Sequence, residues 1–538
     1  MNRPAEFRGT FTTDATSRAL YSEAAGISRI IPAAIAVPVD AEDVQALLRW
    51  ASTESVPITA RGSGSSMAGG ALGEGVILDL SRLDFMGDVD SKRRTVRVGP
   101  GAICSSVNDK AFKAGLRFPV DPSSARFCTI GGMAATNAAG AHSLRFGATR
   151  AWIESIDCVF ADGSRGIVRR GGEVPPNVPA LGEFLHHLQP RMPTMRSREP
   201  FLHKGVRKDS SGFGVAAYAE SGDLVDLLVG SEGTLAVFVG LEVRLEPLPA
   251  AVSSVLAEFD SLDAAVAASQ KATALGASAC ELLDRTFLEF AGTYAAGSSP
   301  ESVLLAEVEA DSDTRAETSA HLLAKAFTAA GARSVKVGIS PIDQREIWEL
   351  RHAASPILGK LDPSLKSMQV VEDGAVPSKN LAAYVTGMRA AFARQGMRGV
   401  IFGHAGDAHM HANPLIDTTR PDWKSSTESL LREVVQLTAS LGGTLSGEHG
   451  DGRLRAPFLP QVWSVEAMQL FRELKKCFDP KGVLNPGVKF APAGRAMDPI
   501  KYDPLLPPLP AKVRTALDRI AADRGYAEFR LSLIADSQ

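Results

Sequence analysis

The sequence predicts a mixed α+β protein of two lobes, and three observations carry that prediction. Short aliphatic and β-branched runs repeatedly end in glycine-rich loops. Apolar residues at helical spacing fill the intervals, and the composition changes near residue 248. The 49 Gly and 32 Pro fall in clusters, so they are not linker composition.

Asp40 is a predicted N-cap for a helix over 40–53 that carries Val44, Leu47 and Leu48 on one face. The run PIT (57–59) reads as a strand entering the loop RGSGSSMAGG (61–70), and GVILDL (75–80) reads as the next strand. Further clusters are IGGMAATNAAGAHSLRFG (130–147), GSEGT (230–234), FGHAGD (402–407) after the run VIF, and GGTLSGEHGDG (442–452). LEPLPAA ends the glycine-rich half. Between 255 and 340, the strands SVLAEF, SVLLAEV and SVKVGI then alternate with the helices LDAAVAASQKATAL and TRAETSAHLLAKAFTAAG. The segment DPIKYDPLLPPLPAKV predicts an extended, surface-bound tail, followed by one short helix from 512 to 524.

Lys+Arg 58 against Asp+Glu 61 leaves a net charge of −3, with no basic excess to follow a phosphate backbone, so no nucleic acid partner is expected. The stretch Ile30 to Val39 is broken by Pro32 and Pro38 and is too short to span a bilayer, so no transmembrane segment is expected. The start has no apolar h-region and the chain has no N-x-[ST] acceptor. A cytoplasmic location is therefore expected, with peripheral membrane association left open. Cys104, Cys128, Cys158, Cys280 and Cys477 are scattered without C-x-x-C spacing. Neither a zinc ribbon nor an iron–sulfur cluster is expected from this chain alone, and a reducing compartment is the simpler reading.

A nucleotide cofactor needs backbone N–H groups presented to its diphosphate without side chains in the way, which Gly and Ser allow. The loop after Arg61 is dense in both. It lacks the third glycine of the nicotinamide fingerprint, because Met67 stands there, and no Gly-Lys-Ser/Thr follows. Alone, it equally fits a surface loop. The second cluster adds Asn137 and Arg145, and two such loops can close on one extended ligand. PVDAEDV, RGSGSSMAGG, DPSSARFCTIGGMAATNAAGAHSLRFG and GSEGTLAVF, in that order, resemble the flavin-binding domain of the vanillyl-alcohol oxidase / p-cresol methylhydroxylase superfamily. The resemblance implies FAD held by Pro38, Arg61, Gly62, Ser63, Gly64, Ser65, Ser66, Gly131, Gly132, Asn137, Gly140, Arg145, Glu232, Gly233 and Thr234. The first loop lacks the histidine that attaches flavin in some members, so the FAD is expected to be non-covalent, with His142 the residual candidate for attachment.

His404, His409, His411 and His449 fall in GHAGDAHMHANP and SGEHGDGRLR. Two imidazoles and a carboxylate from separate loops suit a catalytic divalent cation with open positions, although spacing alone equally fits loop histidines. These segments resemble the C-terminal domain of FAD-linked D-2-hydroxyacid dehydrogenases, the group with D-lactate, D-2-hydroxyglutarate and glycolate dehydrogenases. The resemblance implies His404, His411 and Glu448 as metal ligands, Asn413 at the substrate and His449 as catalytic base. By ligand type the metal is Zn²⁺, with Mn²⁺, Co²⁺ or Fe²⁺ as alternatives. His409 stands where the family commonly has a non-histidine; it is expected as an exposed neighbour, a supporting contact or a substitute ligand, in that order. Arg351 and Ser355, four residues apart, match the family's carboxylate-binding pair. CFDPKGVLNPGVKF resembles the family's closing motif, with Asn485 near the flavin.

The resulting expectation is a two-lobed FAD-binding domain over 1–248 and an α+β substrate (cap) domain with an antiparallel sheet over 249–476. A return segment over 477–490 and a proline-led tail over 491–538 follow. The implied reaction is oxidation of a small-molecule D-2-hydroxy acid to the 2-oxo acid, with hydride passing from C2 to flavin N5 and a metal assisting loss of the hydroxyl proton. Relatives that prefer 2-hydroxyglutarate carry a lysine near VVEDGAVP; here Val371 and Glu372 stand there, which favours a monocarboxylate such as D-lactate. D-2-hydroxyglutarate or glycolate dehydrogenase, or a flavin transferase of the alkylglycerone-phosphate synthase type, are the competing readings. Larger relatives append a cysteine-rich domain that is not found here, so electrons are expected to leave to an external acceptor: an iron–sulfur protein, cytochrome, quinone or electron-transfer flavoprotein. A homodimer is compatible with the sequence.

Overall fold

The computed structural model describes residues 1–294, 297–352, 364–491, 497, 499–525 and 528–535. The first lobe holds two four-stranded sheets and a small pair, Leu116–Arg117 with Glu246–Pro247. In one, strands Ala34–Val37, Val76–Asp79 and Ile58–Arg61 run parallel, and Thr10–Thr12 pairs antiparallel at the edge. AIAV and VILD are buried throughout, which is why they read as unbroken apolar runs without alternation. Helix Ala41–Glu54 covers this sheet with Val44, Leu47, Leu48 and Ala51, one helical stripe, and the Asp40 carboxylate caps it by accepting from Asp43 N–H. The second sheet is antiparallel, in the order Thr95–Val98, Val237–Arg244, Ile153–Val159, Arg165–Arg169. The loop 61–70 leaves the carboxyl end of a parallel strand, where open α/β sheets form ligand crevices.

The second lobe is one antiparallel sheet in the order Ser334–Gly338, Ala251–Phe259, Ser302–Ala310, Ala279–Asp284, Arg398–His404, His409–Asp417, Leu365–Ser367. Strand periodicity sorts its residues onto two faces. Leu282, Leu304, Ala306 and Ile401 pack into the main core with helices Leu262–Ala274, Asp313–Ala329 and Leu381–Arg394. Leu283, Val303, Leu305 and Val400 face the other way, towards helices Arg285–Ala291 and Pro341–His352. The register places Phe402 opposite His411, Val400 opposite Asn413 and His404 opposite His409. Glu281, His404, His409, His411 and Asn413 therefore share this second face, which gathers the predicted histidines on one side of the sheet.

Residues 483–485 return alongside strand Ile58–Arg61: Ile58 N–H donates to Val483 and Asn485 N–H donates to Ile58. The helix expected from 512 to 524 is present, and the tail goes beyond that expectation. It forms two helices, Ala511–Asp523 and Glu528–Ala535, and both pack on helix Ala15–Leu20. The reason is a stripe at i, i+3, i+4 and i+7, Val513, Ala516, Leu517 and Ile520, which is buried with Leu20, Tyr21 and Ile77. All five cysteines are free thiols.

Candidate active site

A single cavity of about 650 Å³ runs between the lobes, lined by loop 61–67, by segment 121–142, by 232–238 and by the histidine face of the cap sheet. On the first lobe its wall is a row of backbone donors. The carbonyls of Gly62, Ser63, Gly64 and Ser66 are each occupied, by Ser81 Oγ, Arg530 Nη1, Ala25 N and Gly26 N. In a trans peptide the following N–H points away from the carbonyl. Among the described residues none accepts from the N–H groups of Ser63 to Met67, and Ser66 Oγ is buried without a partner. That is a nest for an anion such as a dinucleotide diphosphate. Gly64 sits at φ 81°, and a Cβ there would meet the Arg61 guanidinium at 2.4 Å, so the loop requires glycine at this point.

On the cap face, Nε2 of His404 and of His411 lie 3.4 and 3.3 Å from Oε1 of Glu448. The other ring nitrogens are occupied: Nδ1 of His404 lies 2.5 Å from Oε1 of the buried Glu281, and Nδ1 of His411 lies 3.0 Å from the Glu372 carbonyl. Oxygen partners behind two imidazoles turn both Nε2 atoms towards one carboxylate, which is how proteins present histidine to a divalent metal. His404, His409, His411 and Glu448 offer ligand atoms all within 4.8 Å of one another, so the donor set fits a divalent cation. Glu448 is held well below the ordinary carboxylate range. Burial opposes its charge, but Lys208 and His404 outweigh burial.

His449 follows on the same loop, with Nε2 3.5 Å from Glu448 Oε1 and Nδ1 2.9 Å from Glu372 Oε2. Asp373 shapes this loop: its carboxylate accepts from the N–H groups of Glu448 and His449 and from Ser446 Oγ, and lies 2.8 Å from His409 Nε2. Gly447 passes so close to the His409 ring that a Cβ would approach it to 2.5 Å. His449 is raised to about 10, because Asp373 and Glu372 outweigh the effect of its burial. Glu372 is held low by His449 and by Arg455 in spite of its own burial. Arg351 lies on the same cavity wall. Its Nε donates to Glu281 at 2.7 Å, and its guanidinium lies 5.0 Å from the Phe402 ring centre. Ser355 lies outside the described residues. Asn413 lines the cavity with its Oδ1 buried and unpartnered.

Several expected residues are placed otherwise. Pro38, Asn137, Arg145, Thr234 and Asn485 do not line the cavity. Pro38 is buried beside Gly9 at the edge of the first sheet. Asn137 ends a short helix at φ 52° and its Oδ1 accepts from Arg150 N–H, and Thr234 Oγ1 donates to Ser231 within its own turn. Arg145 bonds the Glu309 carbonyl of the cap. Asn485 Nδ2 donates to Gly70 and Glu232, tying the return segment to both loops. Glu232 does line the cavity, yet its carboxylate is engaged by Asp451 N–H, Gly452 N–H and Lys489. His409 is not an exposed neighbour. It is fully buried, and that burial lowers it to about 3, so its ring is neutral. His142 has both ring nitrogens 2.6 Å from carboxylates, those of Asp121 and Glu307. Glu281, Lys208, Asp373 and Arg455 were not singled out by sequence; Asp373 and Arg455 lie within quoted motifs but with no sign of their partners, and Glu281 and Lys208 are isolated charges outside any motif.

Two family models match the chain: an FAD binding domain over residues 32–166, and the C-terminal domain of FAD linked oxidases over residues 248–488. The chain carries the FAD binding and C-terminal domains of an FAD-linked oxidase. Among curated relatives of this oxidoreductase, glycolate oxidase subunit GlcD of Bacillus subtilis is 28% identical, covering 90% of this chain and 95% of the relative. A D-lactate dehydrogenase of Archaeoglobus fulgidus is 29% identical, covering 84% and 89%. Among solved structures, p-cresol methylhydroxylase with substrate bound is similar at a TM-score of 0.64 and 11% identity, over 90% of this chain and 95% of that one. An alkyldihydroxyacetonephosphate synthase is similar at 0.61 and 16%, over 88% and 82%. These structural likenesses show the fold. No helix among the described residues is long and apolar enough to cross a membrane.

Proposed function

We propose that this FAD-linked oxidoreductase oxidises a D-2-hydroxy monocarboxylate of the lactate type to its 2-oxo acid and passes the electrons to an external acceptor. The observation that carries this reading is that one face of the cap sheet, with the helix and the loop packed on it, brings a guanidinium, a cation-ligand cluster and an imidazole to one cavity wall. Arg351 would take the substrate carboxylate, and Asn413, with its unpartnered Oδ1, would accept a hydrogen bond from the substrate. His404, His411 and Glu448 would hold a divalent cation of the Zn²⁺ type, which supplies Lewis acidity to the hydroxyl oxygen. Bound FAD supplies the two-electron acceptor.

His449 takes the hydroxyl proton on Nε2, while Glu372 behind Nδ1 fixes the tautomer and ring orientation. Without a cation the surrounding carboxylates favour the imidazolium; a dication among the ligands opposes their field and favours the neutral ring that a base requires. Glu372 also puts a negative charge on the cavity wall, which disfavours a second carboxylate on the substrate. The test is an anaerobic panel of D-lactate, D-2-hydroxyglutarate, glycolate, D-malate and the L-isomers, followed by loss of flavin colour with and without a chelator. Fastest bleaching by D-lactate, slowed by the chelator, supports the reading. Fastest bleaching by a dicarboxylate overturns the substrate class, and no bleaching by any hydroxy acid points to the transferase reading instead.

A further inference from the structure

The two tail helices lie beyond both matched family domains, yet the first lines the cavity and the second bonds the loop that forms its wall. Helix Glu528–Ala535 places Arg530 at 1% exposure in the apolar cluster around Tyr21. Burying a guanidinium this deeply is costly, so the groups that meet it carry weight. Nη1 donates to the Ser63 carbonyl at 3.2 Å, and the guanidinium carbon lies 5.1 Å from the Tyr21 ring centre. Tyr21 is fixed in turn, its hydroxyl donating to Asp79 at 2.6 Å, and the Arg61 guanidinium lies 5.3 Å from the same ring centre. Of the four loop carbonyls that are tied off, that of Ser63 alone is held from the tail; the partners of the other three come from the first lobe's own strands and loops.

The preceding helix ends at Arg524, in the left-handed conformation at φ 55°. The Arg524 side chain lines the cavity wall with Ala521, its guanidinium 5.5 Å from the Phe127 ring centre. Arg514 secures the helix on the first lobe through Glu23 at 3.1 Å.

We propose that helix Ala511–Asp523 with its cap Arg524, and helix Glu528–Ala535, are a working part of the FAD-binding site. Arg530 is a positioning residue: by drawing the Ser63 carbonyl outward it turns the Gly64 N–H to the cavity and holds the anion nest open. Arg524 closes the cavity wall and offers a cation to the anionic dinucleotide. The tail thereby sets how tightly FAD is retained, independently of the chemistry on the cap face.

The test is FAD release from the holoenzyme on dilution, followed by the rise in flavin fluorescence, with thermal unfolding recorded alongside. Arg530→Met is expected to release FAD about tenfold faster, the weight of one charge-assisted hydrogen bond, with Arg530→Lys restoring most of the retention. Arg524→Ala, at a partly exposed position, is expected to fold normally and release FAD about threefold faster. Release at the wild-type rate from Arg524→Ala together with Arg530→Met overturns the proposal. If Arg530→Met fails to fold, wild-type release from Arg524→Ala alone overturns it. Wild-type protein that carries no FAD overturns the flavin reading and this proposal with it.

Discussion

Nζ of Lys208, from the flavin lobe, lies 2.7 Å from Oε2 of Glu448, from the cap lobe, and both side chains are almost fully buried. Lys208 occupies one carboxylate oxygen and leaves Oε1 to the histidines. Removing one partner of a buried pair leaves the other charge uncompensated, at a cost of about 3–5 kcal/mol. A divalent cation beside Glu448 supplies a substitute charge. Lys208→Met should therefore destabilise the chelator-treated protein markedly and the metal-loaded protein much less. Urea unfolding of both forms measures this, and equal losses in the two would show that Glu448 has no cation to lean on.

Glu281 couples two functions, because one oxygen faces His404 and the other accepts from Arg351. Glu281→Gln keeps the shape but removes the charge that orients both groups. Loss of such a supporting carboxylate is expected to weaken metal binding by about 10–100-fold. The freed guanidinium should also raise KM for the hydroxy acid while FAD content stays unchanged. Competition with a chelating dye reads the first effect and steady-state kinetics the second; unchanged metal affinity would separate Glu281 from the cation site.

What was legible in the sequence was whatever is encoded locally. Asp40 capped the helix it was expected to cap, because an N-cap and a 3.6-residue stripe are properties of one segment. The common side of His409 and His411 is legible once their segment is read as a strand, because a strand alternates every residue. Glu281 could not be found this way. It reaches His404 only because strand Ala279–Asp284 pairs with strand Arg398–His404, a register that no local pattern announces. Lys208 and Asp373 likewise acquire their roles across lobes or between distant loops. In the tail the helix over 512–524 was legible from its own residues, whereas its docking on helix Ala15–Leu20 and the second helix beyond it depend on a partner far away in the chain.

His449 is the residue on which the proposed chemistry depends most directly. His449→Ala removes the proton acceptor without touching the anion nest, so FAD should stay bound while anaerobic flavin reduction by the hydroxy acid slows by about 10²–10⁴-fold. Glu372→Gln retains an acceptor for Nδ1 but loses the charge, so its loss of rate should be smaller. Rapid-mixing absorbance of the flavin decides this, and reduction at the wild-type rate in His449→Ala would remove His449 from the reaction.

The clamp at His142 predicts a pH dependence of stability. Both ring nitrogens lie 2.6 Å from carboxylates, Asp121 of the flavin lobe and Glu307 of the cap, with the Trp348 ring stacked alongside. A doubly protonated ring satisfies both oxygens; a neutral ring must leave one facing a lone pair. Burial disfavours the charge, but Asp121 and then Glu307 outweigh it and raise His142 well above its ordinary value. A group that holds its proton more tightly when folded contributes fully below its unfolded pKa of about 6.5, and that contribution is lost as pH rises through the higher folded value. The wild-type denaturation midpoint should therefore fall on raising the pH from about 6 to about 9, and more than in His142→Gln, which can bond one carboxylate at any pH. Parallel pH profiles for the two proteins would exclude His142 as the source of the dependence.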